Sequence, residues 1–252
     1  MANPNKHGLS RTIDEPTKRI IRQNCGFGCV ICGALIYEYD HVDPQFVDAT
    51  VHDPSKMTLL CGQHHAKATR GTLSRKTIKK AMEAPFALRE GFSNDMFDIT
   101  TDNDLTIIIG GLELKNNPIA VEIAGEPIIQ IKPPEEEGAP FRLSGRFFNS
   151  QGQETLIIVD NEIQVSANNW DVTMEGKVLI IREARAKIHL RLTVNPPSQI
   201  IINRLNMTYK GRVLFGYDDK FNLKNLTNQD APVDITFENV GIGGFSGKGL
   251  AL

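Results

Sequence analysis

The sequence predicts an α+β protein, with a small mixed domain over residues 1–95 and an all-β domain over residues 96–252. Two observations support this division. The span from Cys29 to His65 holds three of the four cysteines together with a set of histidines, which is typical of a small metal-stabilised domain. From Phe97 onward, short runs of branched residues alternate with Gly, Asn, Asp and Pro, which is typical of all-β domains.

The first domain begins with a polar segment over residues 1–15, which predicts a loose arm. Pro16 then opens an apolar-periodic segment over residues 17–24, which predicts a short basic helix. Residues 34–42 are rich in aromatic and branched side chains and predict a strand pair. These elements would place Asp40 at the end of a strand.

Two further helices are predicted in the first domain. One begins at the ligand pair that starts with Cys61, and the other covers residues 75–83 between the N-cap Ser74 and Pro85. The second domain is predicted to be built of strands whose arrangement as sandwich, barrel or solenoid stays open. Its branched runs are Leu105 to Ile109, Ile119 to Ile123, Ile128 to Ile131, Leu156 to Val159, Val178 to Ile181, Ile188 to Val194, Ile200 to Ile202 and Val233 to Phe237.

Composition limits the class of protein. Four cysteines in 252 residues are too few for a disulfide scaffold, and Met1–His7 lacks the apolar stretch of a signal peptide. We therefore expect a cytoplasmic protein without membrane association. Residues 1–80 contain 12 basic and 7 acidic residues, a net charge of +5 that leaves −7 for the remainder. This asymmetry favours a polyanionic partner for the first domain, although a solvated basic helix face would look the same.

A structural zinc site is predicted from two ligand pairs, each with a two-residue gap. Cys29, Cys32, Cys61 and His64 form a Cys3His set of the kind that binds Zn2+ tetrahedrally. Cys25 lacks this spacing and is interpreted as a buried free thiol. His64 and His65 could exchange roles in the zinc site.

Cys-x-x-Cys, then Asp-His at a strand end, then Leu-Leu-Cys-x-x-His-His opening a helix resembles the HNH endonucleases over about residues 16–85. The resemblance implies a ββα-metal fold that cuts nucleic acid with one divalent ion, Mg2+ or Mn2+. It implies that His41 is the general base and that Asp40 and His65 bind the catalytic ion. It favours DNA as the substrate, with RNA left open.

The chemistry of these residue types agrees with such roles. A histidine with an ordinary pKa of about 6.5 can take a proton from water near neutral pH, which suits His41. A hard divalent ion held by a carboxylate and an imidazole keeps open positions for water and phosphate, which suits Asp40 and His65. The alternative for His41 is a strand-end histidine that hydrogen-bonds to a backbone carbonyl.

The sequence departs from the family pattern at Lys56. Family members often carry an Asn five residues before the second knuckle cysteine, where it orients the base, and a lysine cannot accept the same hydrogen bonds. Either Ser55 or Thr58 pins the loop instead, or the activity is weakened. His52 in the same loop is an extra ligand, a phosphate contact or an exposed loop histidine.

Several other residues are assigned by their surroundings. A basic set follows the motif and either contacts phosphates or forms a solvated helix face. Its members are Arg70, Arg75, Lys76, Lys79 and Lys80. Trp170 is predicted to lie in the core of the β domain, and His189 in an alternating strand is predicted to be structural.

The sequence thus predicts a DNA endonuclease domain, followed by a β domain that regulates, targets or oligomerises it. One alternative is a catalytically inactive, zinc-stabilised module that binds nucleic acid. A further alternative makes the β domain a sensor of a ligand or partner that controls the nuclease, as in bacterial defence against phage.

Overall fold

A computed structural model of the chain describes residues 3–99, 105–109, 112–115, 118–217, 220–225, 235–238 and 250–251. The chain divides into two compact units, Met1–Asp95 with Val165–Val172, and Met96–Gln164 with Thr173–Leu252. Helices occur together with several sheets, in agreement with the predicted α+β class. In the described part of the chain, no helix combines the length and apolar character that crossing a membrane would need.

The helices lie at the N-terminal side of the chain. The elements there are α1 (Glu15–Asn24), β1 (Glu38–His41), β2 (Met57–Leu60), α2 (Gly62–Thr69), α3 (Arg75–Glu83), α4 (Phe86–Glu90) and β3 (Phe92–Met96). α1 begins earlier than predicted because the carboxylate of Asp14 accepts a hydrogen bond from the backbone N–H of Thr17. Ser74 caps α3 through the N–H of Thr77, as predicted.

β1 and β2 form a two-stranded antiparallel sheet in the first unit. Glu38 pairs with Leu60, and His41 pairs with Met57. The strand pair predicted over residues 34–42 is therefore wrong in part, because this segment supplies only β1 and the partner strand is β2. Because the strands are antiparallel, β1 carries its last residues to one end of the sheet while β2 delivers the chain to α2 at the other end.

β2 is buried along its whole length between two apolar clusters. Side chains alternate across a strand, so Met57 and Leu59 pack in one cluster and Leu60 in the other. The first cluster also contains Ile13, Ile21 and Cys25. The second contains Cys29, Val30, Val42, Ala68 and Ile78.

The N-terminal arm is ordered against a loop of the first unit, so the expectation of a loose arm is wrong. The side-chain amide of Asn5 donates to the backbone carbonyls of Phe46 at 2.5 Å and of Ala49 at 2.7 Å. Its side-chain oxygen accepts from the N–H groups of His7 and Leu9, each at 2.9 Å. One polar side chain thereby ties residues 5–9 to the loop that follows β1.

The segment Val165–Val172 belongs to the first unit, although it follows many strands of the second. The guanidinium of Arg22 donates from Nε and Nη2 to the two carboxylate oxygens of Asp171, at 2.8 and 2.9 Å. Trp170 accepts at its carbonyl from Gln23, and the guanidinium of Arg19 lies 4.7 Å from its ring centroid. The prediction that Trp170 lies in the core of the β domain is therefore wrong.

The remaining regular elements of the described residues are strands. They are β4 (Thr106–Ile109), β5 (Leu112–Lys115), β6 (Ile119–Ile123), β7 (Glu126–Lys132), β8 (Arg142–Phe148), β9 (Glu154–Val159), β10 (Glu162–Ser166), β11 (Asp171–Glu175), β12 (Val178–Ala184), β13 (Lys187–Asn195), β14 (Gln199–Tyr209), β15 (Arg212–Tyr217), β16 (Lys220–Asn225), β17 (Ile235–Glu238) and β18 (Leu250–Ala251). One sheet has the order β18-β6-β7-β8-β9-β10-β3, and another the order β11-β12-β13-β14-β15-β16-β17 with β4 and β5 attached at β14. Both are open sheets made mainly of consecutive antiparallel strands.

Every predicted β run overlaps one of these strands. The longest strand, β14, contains an irregularity that changes which residues are buried. Arg191 pairs with Arg204 but Leu192 pairs with Ile202, so Asn203 is an extra residue in β14. A bulge of this kind reverses the alternation, and the buried positions change from Ile200 and Ile202 to Leu205 and Met207.

Candidate active site

The predicted Cys3His set is brought together in the first unit. The Sγ atoms of Cys29, Cys32 and Cys61 lie 3.4, 3.6 and 3.2 Å from Nδ1 of His64. The Sγ atoms of Cys32 and Cys61 are 3.9 Å apart. Tetrahedral zinc with ordinary bond lengths requires S···N separations of about 3.6 Å and S···S separations of about 3.8 Å. The four residues therefore fit a metal ion such as zinc.

Local geometry explains why the first ligand pair forms. Gly33 donates its N–H to the carbonyl of Cys29 at 2.7 Å, which closes the turn that carries both cysteines. A Cβ added at Gly28 would lie 2.3 Å from the carbonyl oxygen of Gly33, so this close approach requires glycine at position 28. Cys61 is the N-cap residue of α2, and His64 follows in the first turn. A tight turn and a helix start thus bring the ligands together.

The thiols differ in their environments. The side-chain hydrogen bond with Cys32 lowers the pKa of the Cys29 thiol to about 4. The same hydrogen bond raises the pKa of the Cys32 thiol, so the two cysteines share one proton that a metal ion would displace. Cys25 lies outside the ligand set, buried and 3.4 Å from the hydroxyl of Thr58, and burial raises its thiol pKa. Cys25 is therefore an unreactive buried thiol.

His65 points away from the Cys3His set and lies between two carboxylates. Its Nδ1 is 3.2 Å from Oε2 of Glu38, and its Nε2 is 3.5 Å from Oδ1 of Asp40. Glu38 and Asp40 share a face of β1 because they are two residues apart. If Nδ1–H donates to Glu38, the free lone pair of Nε2 faces an oxygen of Asp40, which places two acceptors next to each other.

Asp40 also binds Arg75. A guanidinium nitrogen of Arg75 donates to Oδ2 of Asp40, and the same nitrogen lies 3.3 Å from the carbonyl oxygen of His41. Asp40 is only 6% exposed, and this burial raises its carboxyl pKa despite the neighbouring guanidinium. Arg75 was predicted to contact phosphate or to lie on a solvated helix face, whereas here it neutralises the buried carboxylate.

His41 is 8% exposed, and among the residues that the structure describes its imidazole has one hydrogen-bond partner, the loop residue His52. Nε2 of His41 lies 3.1 Å from Nδ1 of His52, and the ring of Phe46 packs on His41 with 5.4 Å between centroids. Burial, with a smaller contribution from His52, lowers the pKa of His41 to about 4. The imidazole is therefore neutral at pH 7, as a proton acceptor must be.

The three residues implied by the HNH resemblance line one cleft of about 440 Å³. Asp40 and His41 enter it from the end of β1, and His65 from α2. The guanidinium of Arg11, from the arm, lies 4.4 Å from the centroid of the Phe46 ring at the same cleft. The lining residues are Arg11, Ile13, Tyr39, Asp40, His41, Gln45, Phe46, Val47, His65, Thr69 and Arg75.

The predicted basic residues at the end of α2 and in α3 differ in whether their side chains are paired. Lys79 forms an ion pair with Asp43 at 2.5 Å. Arg70, Lys76 and Lys80 are exposed, and their side chains have no hydrogen-bonded or ionic partner among the residues that the structure describes. These three remain free to meet a polyanion, whereas Arg75 and Lys79 are already paired.

Lys56 does not reach the cleft. It lines another cavity, of about 760 Å³, and its backbone carbonyl accepts from the N–H of Val42 at 2.9 Å. Ser55 and Thr58 were the two residues expected to take the place of the usual Asn. The hydroxyl of Ser55 donates to Asp53 and that of Thr58 contacts Cys25, so neither hydroxyl is used on His41. His52 makes that contact instead.

Sequence reasoning overlooked Glu38, Arg11 and the contact of His52 with His41. The sequence contains a signal for Glu38, since a carboxylate two residues before Asp40 on a strand lies on the same face. It contains no local signal for the contacts of Arg11 and His52, because these contacts depend on how the arm folds back onto the loop.

No protein-family model, curated protein or solved structure matches this chain. A functional assignment therefore depends on the residues of the metal cluster and the cleft. Their geometry is specific enough to be tested one residue at a time.

Proposed function

We propose that the first unit is a divalent-metal-dependent endonuclease of the HNH type that hydrolyses phosphodiester bonds of DNA. The observation that carries the proposal is the single cleft lined by Asp40, His41 and His65, next to the Cys3His set. A general base and a pair of ligands for a hard cation are what the hydrolysis needs, and a structural metal would stabilise the domain that holds them.

In this proposal His41 is the general base. Its neutral imidazole takes a proton from the water that attacks the scissile phosphate, and its low exposure protects it from bulk solvent. The backbone of β1 holds it at the strand end, and the Phe46 ring restricts its rotation. The free cations Arg70, Lys76 and Lys80 would attract the polyanion without reading its sequence.

Asp40 and His65 would hold the divalent cation, Mg2+ or Mn2+, which supplies positive charge to the scissile phosphate and the leaving 3'-oxygen. Their facing atoms are 3.5 Å apart, against about 3.0 Å for adjacent positions around Mg2+. Glu38 on the far nitrogen of His65 orients the ring, as carboxylates do for metal-binding histidines. We assign Zn2+ to the Cys3His set, where it stabilises the turn and the start of α2.

The test is cleavage of supercoiled plasmid with Mg2+ or Mn2+, compared with wild type in EDTA and with the variant His41→Ala. A general base contributes about 10²–10⁴-fold, so we expect His41→Ala to cut at least about 100-fold more slowly. The matched control is His7→Ala, which removes an exposed histidine of the arm. Zinc content by elemental analysis must be equal in all samples. Undiminished cutting by His41→Ala would contradict the proposal.

A second candidate is a zinc-stabilised module that binds nucleic acid without cutting it. The observations in its favour are Lys56 at the usual Asn position and the pairing of Arg75 with Asp40. Plasmid that stays supercoiled with either cation, alongside a gel shift that weakens with salt, would support this candidate over the endonuclease.

A further inference from the structure

His41 is connected to the N-terminal arm through His52. Nε2 of His41 lies 3.1 Å from Nδ1 of His52, and Nε2 of His52 lies 2.9 Å from the carbonyl oxygen of Ser10. These contacts form a chain of two hydrogen bonds that runs from β1 through the loop to the arm. The arm is fixed to the same loop by Asn5, so both ends of the chain are held.

The Ser10 carbonyl sets the direction of both hydrogen bonds. A carbonyl oxygen only accepts, so Nε2 of His52 carries a proton. In neutral His52, Nδ1 is then unprotonated and accepts from Nε2–H of His41. His41 is thereby held with Nδ1 unprotonated. Among the described residues, none forms a hydrogen bond with Nδ1 of His41.

We propose that His52 is a positioning residue that selects the Nε2–H tautomer of His41 and leaves Nδ1 as the nitrogen that takes the proton from water. This inference rests on the proposed function, in which His41 is the general base. His52 supplies the orienting hydrogen bond that Lys56 cannot, because the Lys56 side chain lines a different cavity. His52 lies four residues before Lys56 in the chain and forms its hydrogen bond with His41 from that position.

The direct test is the tautomeric state of His41, read from long-range proton–nitrogen correlations of ¹⁵N-histidine-labelled full-length protein. The His41 signals are assigned by their loss in His41→Gln. We expect Nε2–H for His41 in the wild type and a mixture of tautomers in His52→Leu. His52→Asn keeps an acceptor oxygen near the position of Nδ1 and is expected to keep the Nε2–H form. An Nδ1–H form in the wild type, or no change in His52→Leu, would overturn the proposal.

Plasmid cleavage gives a second readout. We expect kcat of His52→Leu to fall about 10- to 100-fold at unchanged KM, because only part of the rate contributed by the general base is lost. His52→Asn should retain most of the wild-type kcat. His7→Asn is the control. Equal zinc content and equal thermal midpoints exclude misfolding. If His52→Leu cleaves plasmid at the wild-type rate, the positioning role of His52 is wrong but the nuclease activity is not. If the wild type does not cleave plasmid, the proposed function is wrong. In that case the tautomer measurement still tests the hydrogen-bond chain by itself.

Discussion

Asp40 has two competing partners at the centre of the cleft. Arg75 binds one carboxylate oxygen, and the other faces His65. A cation can bind Asp40 strongly only if the carboxylate is not already neutralised, so Arg75 sets the availability of this ligand. The same guanidinium, once released from Asp40, would lie close to the phosphate that the cation attracts. At the residue scale, the strength of one ion pair therefore controls metal binding.

Replacing Arg75 with Ala is expected to strengthen Mn2+ binding. The Arg75 side chain is 25% exposed although Asp40 is buried, so we take the competing ion pair to be worth about 1 kcal/mol, which corresponds to roughly fivefold tighter binding once it is removed. Isothermal titration calorimetry of the zinc-loaded protein measures the effect. Lys76→Ala, which removes an exposed cation of the same helix, should leave the affinity unchanged. Weaker Mn2+ binding by Arg75→Ala would show that Arg75 does not compete for Asp40.

His189 should make the second unit sensitive to acid. It is 1% exposed in β13, neither ring nitrogen has a hydrogen-bond partner among the described residues, and burial lowers its pKa to about 4. Glu183 raises this pKa slightly and Lys187 lowers it. Between pH 6.5 and 4 the unfolded chain binds the proton and the folded chain does not, so stability falls as pH falls.

The expected loss from His189 is about 2.5 kcal/mol of unfolding free energy between pH 7 and pH 4.5. Urea unfolding followed by far-ultraviolet circular dichroism at both pH values measures it. In His189→Leu this part of the pH dependence should disappear, whereas in His7→Leu it should remain. The same pH slope in His189→Leu as in the wild type would exclude His189 as its source.

At the scale of single elements, the arm shows how a polar segment without regular structure can be ordered. The side chain of Asn5 makes four hydrogen bonds, two within residues 5–9 and two to the loop beside His41. Since the arm also supplies Arg11 and the Ser10 carbonyl, its attachment determines the environment of the cleft. Asn5 therefore contributes to the order of this element together with Lys6, Arg11 and Ile13.

We expect Asn5→Ala to detach the arm at a cost of about 2 kcal/mol, because hydrogen bonds with net values near 1 kcal/mol each are lost from a half-buried site. Amide hydrogen exchange over residues 45–52 should accelerate by roughly tenfold or more. Thr12→Ala, an exposed position in the same arm, should exchange like the wild type. Unchanged exchange in Asn5→Ala would mean that other contacts hold the arm.

The sequence predicts elements best where a local signal is strong. Pro16 and the Ser74 cap mark the starts of α1 and α3 within two residues, and the branched runs mark strands. A strand that alternates buried and partly exposed positions, such as β8, lacks such a run and was not predicted. In β14 the predicted branched run ends at Ile202, although the strand continues. The bulge at Asn203 reverses the alternation of buried side chains, so the sequence pattern does not extend across it.

The candidate site is predictable from sequence to a similar extent. The metal ligands follow from spacing, because a turn and a helix start fix them locally. The contacts of His41 do not, since they join residues 10, 41 and 52 across separate segments. The pairing of Arg75 with Asp40 depends on where α3 lies, which no local pattern records.

At the scale of the whole molecule, the buried pair of Arg22 and Asp171 completes the first unit. Both residues are 3% exposed, and Tyr39 adds a further hydrogen bond to the guanidinium. A buried charge that loses its partner is costly, whereas replacing both partners with apolar residues is often tolerated. The pair therefore ties a distant segment of the chain to α1.

Asp171→Ala is expected to destabilise the first unit by about 3–5 kcal/mol. The single tryptophan, Trp170, lies in this unit, so its fluorescence during urea unfolding reports on the unit. The double variant Arg22→Met with Asp171→Leu should recover most of the stability. A small loss in Asp171→Ala, below about 1 kcal/mol, would show that Arg22 is not buried without its partner.

The separation of 149 residues between Arg22 and Asp171 has a consequence for biosynthesis. Chains are made at about 5–20 residues per second, so Asp171 is added roughly 4–15 s after Asp95. During that interval the first unit exists without its final segment, and Arg22 has Glu15 and Tyr39 as partners but not yet Asp171. A ribosome-bound chain that ends shortly after residue 95 would thus contain the metal ligands and the cleft residues in an incomplete first unit. The cleft would reach its final stability only once much of the β-rich part has been translated.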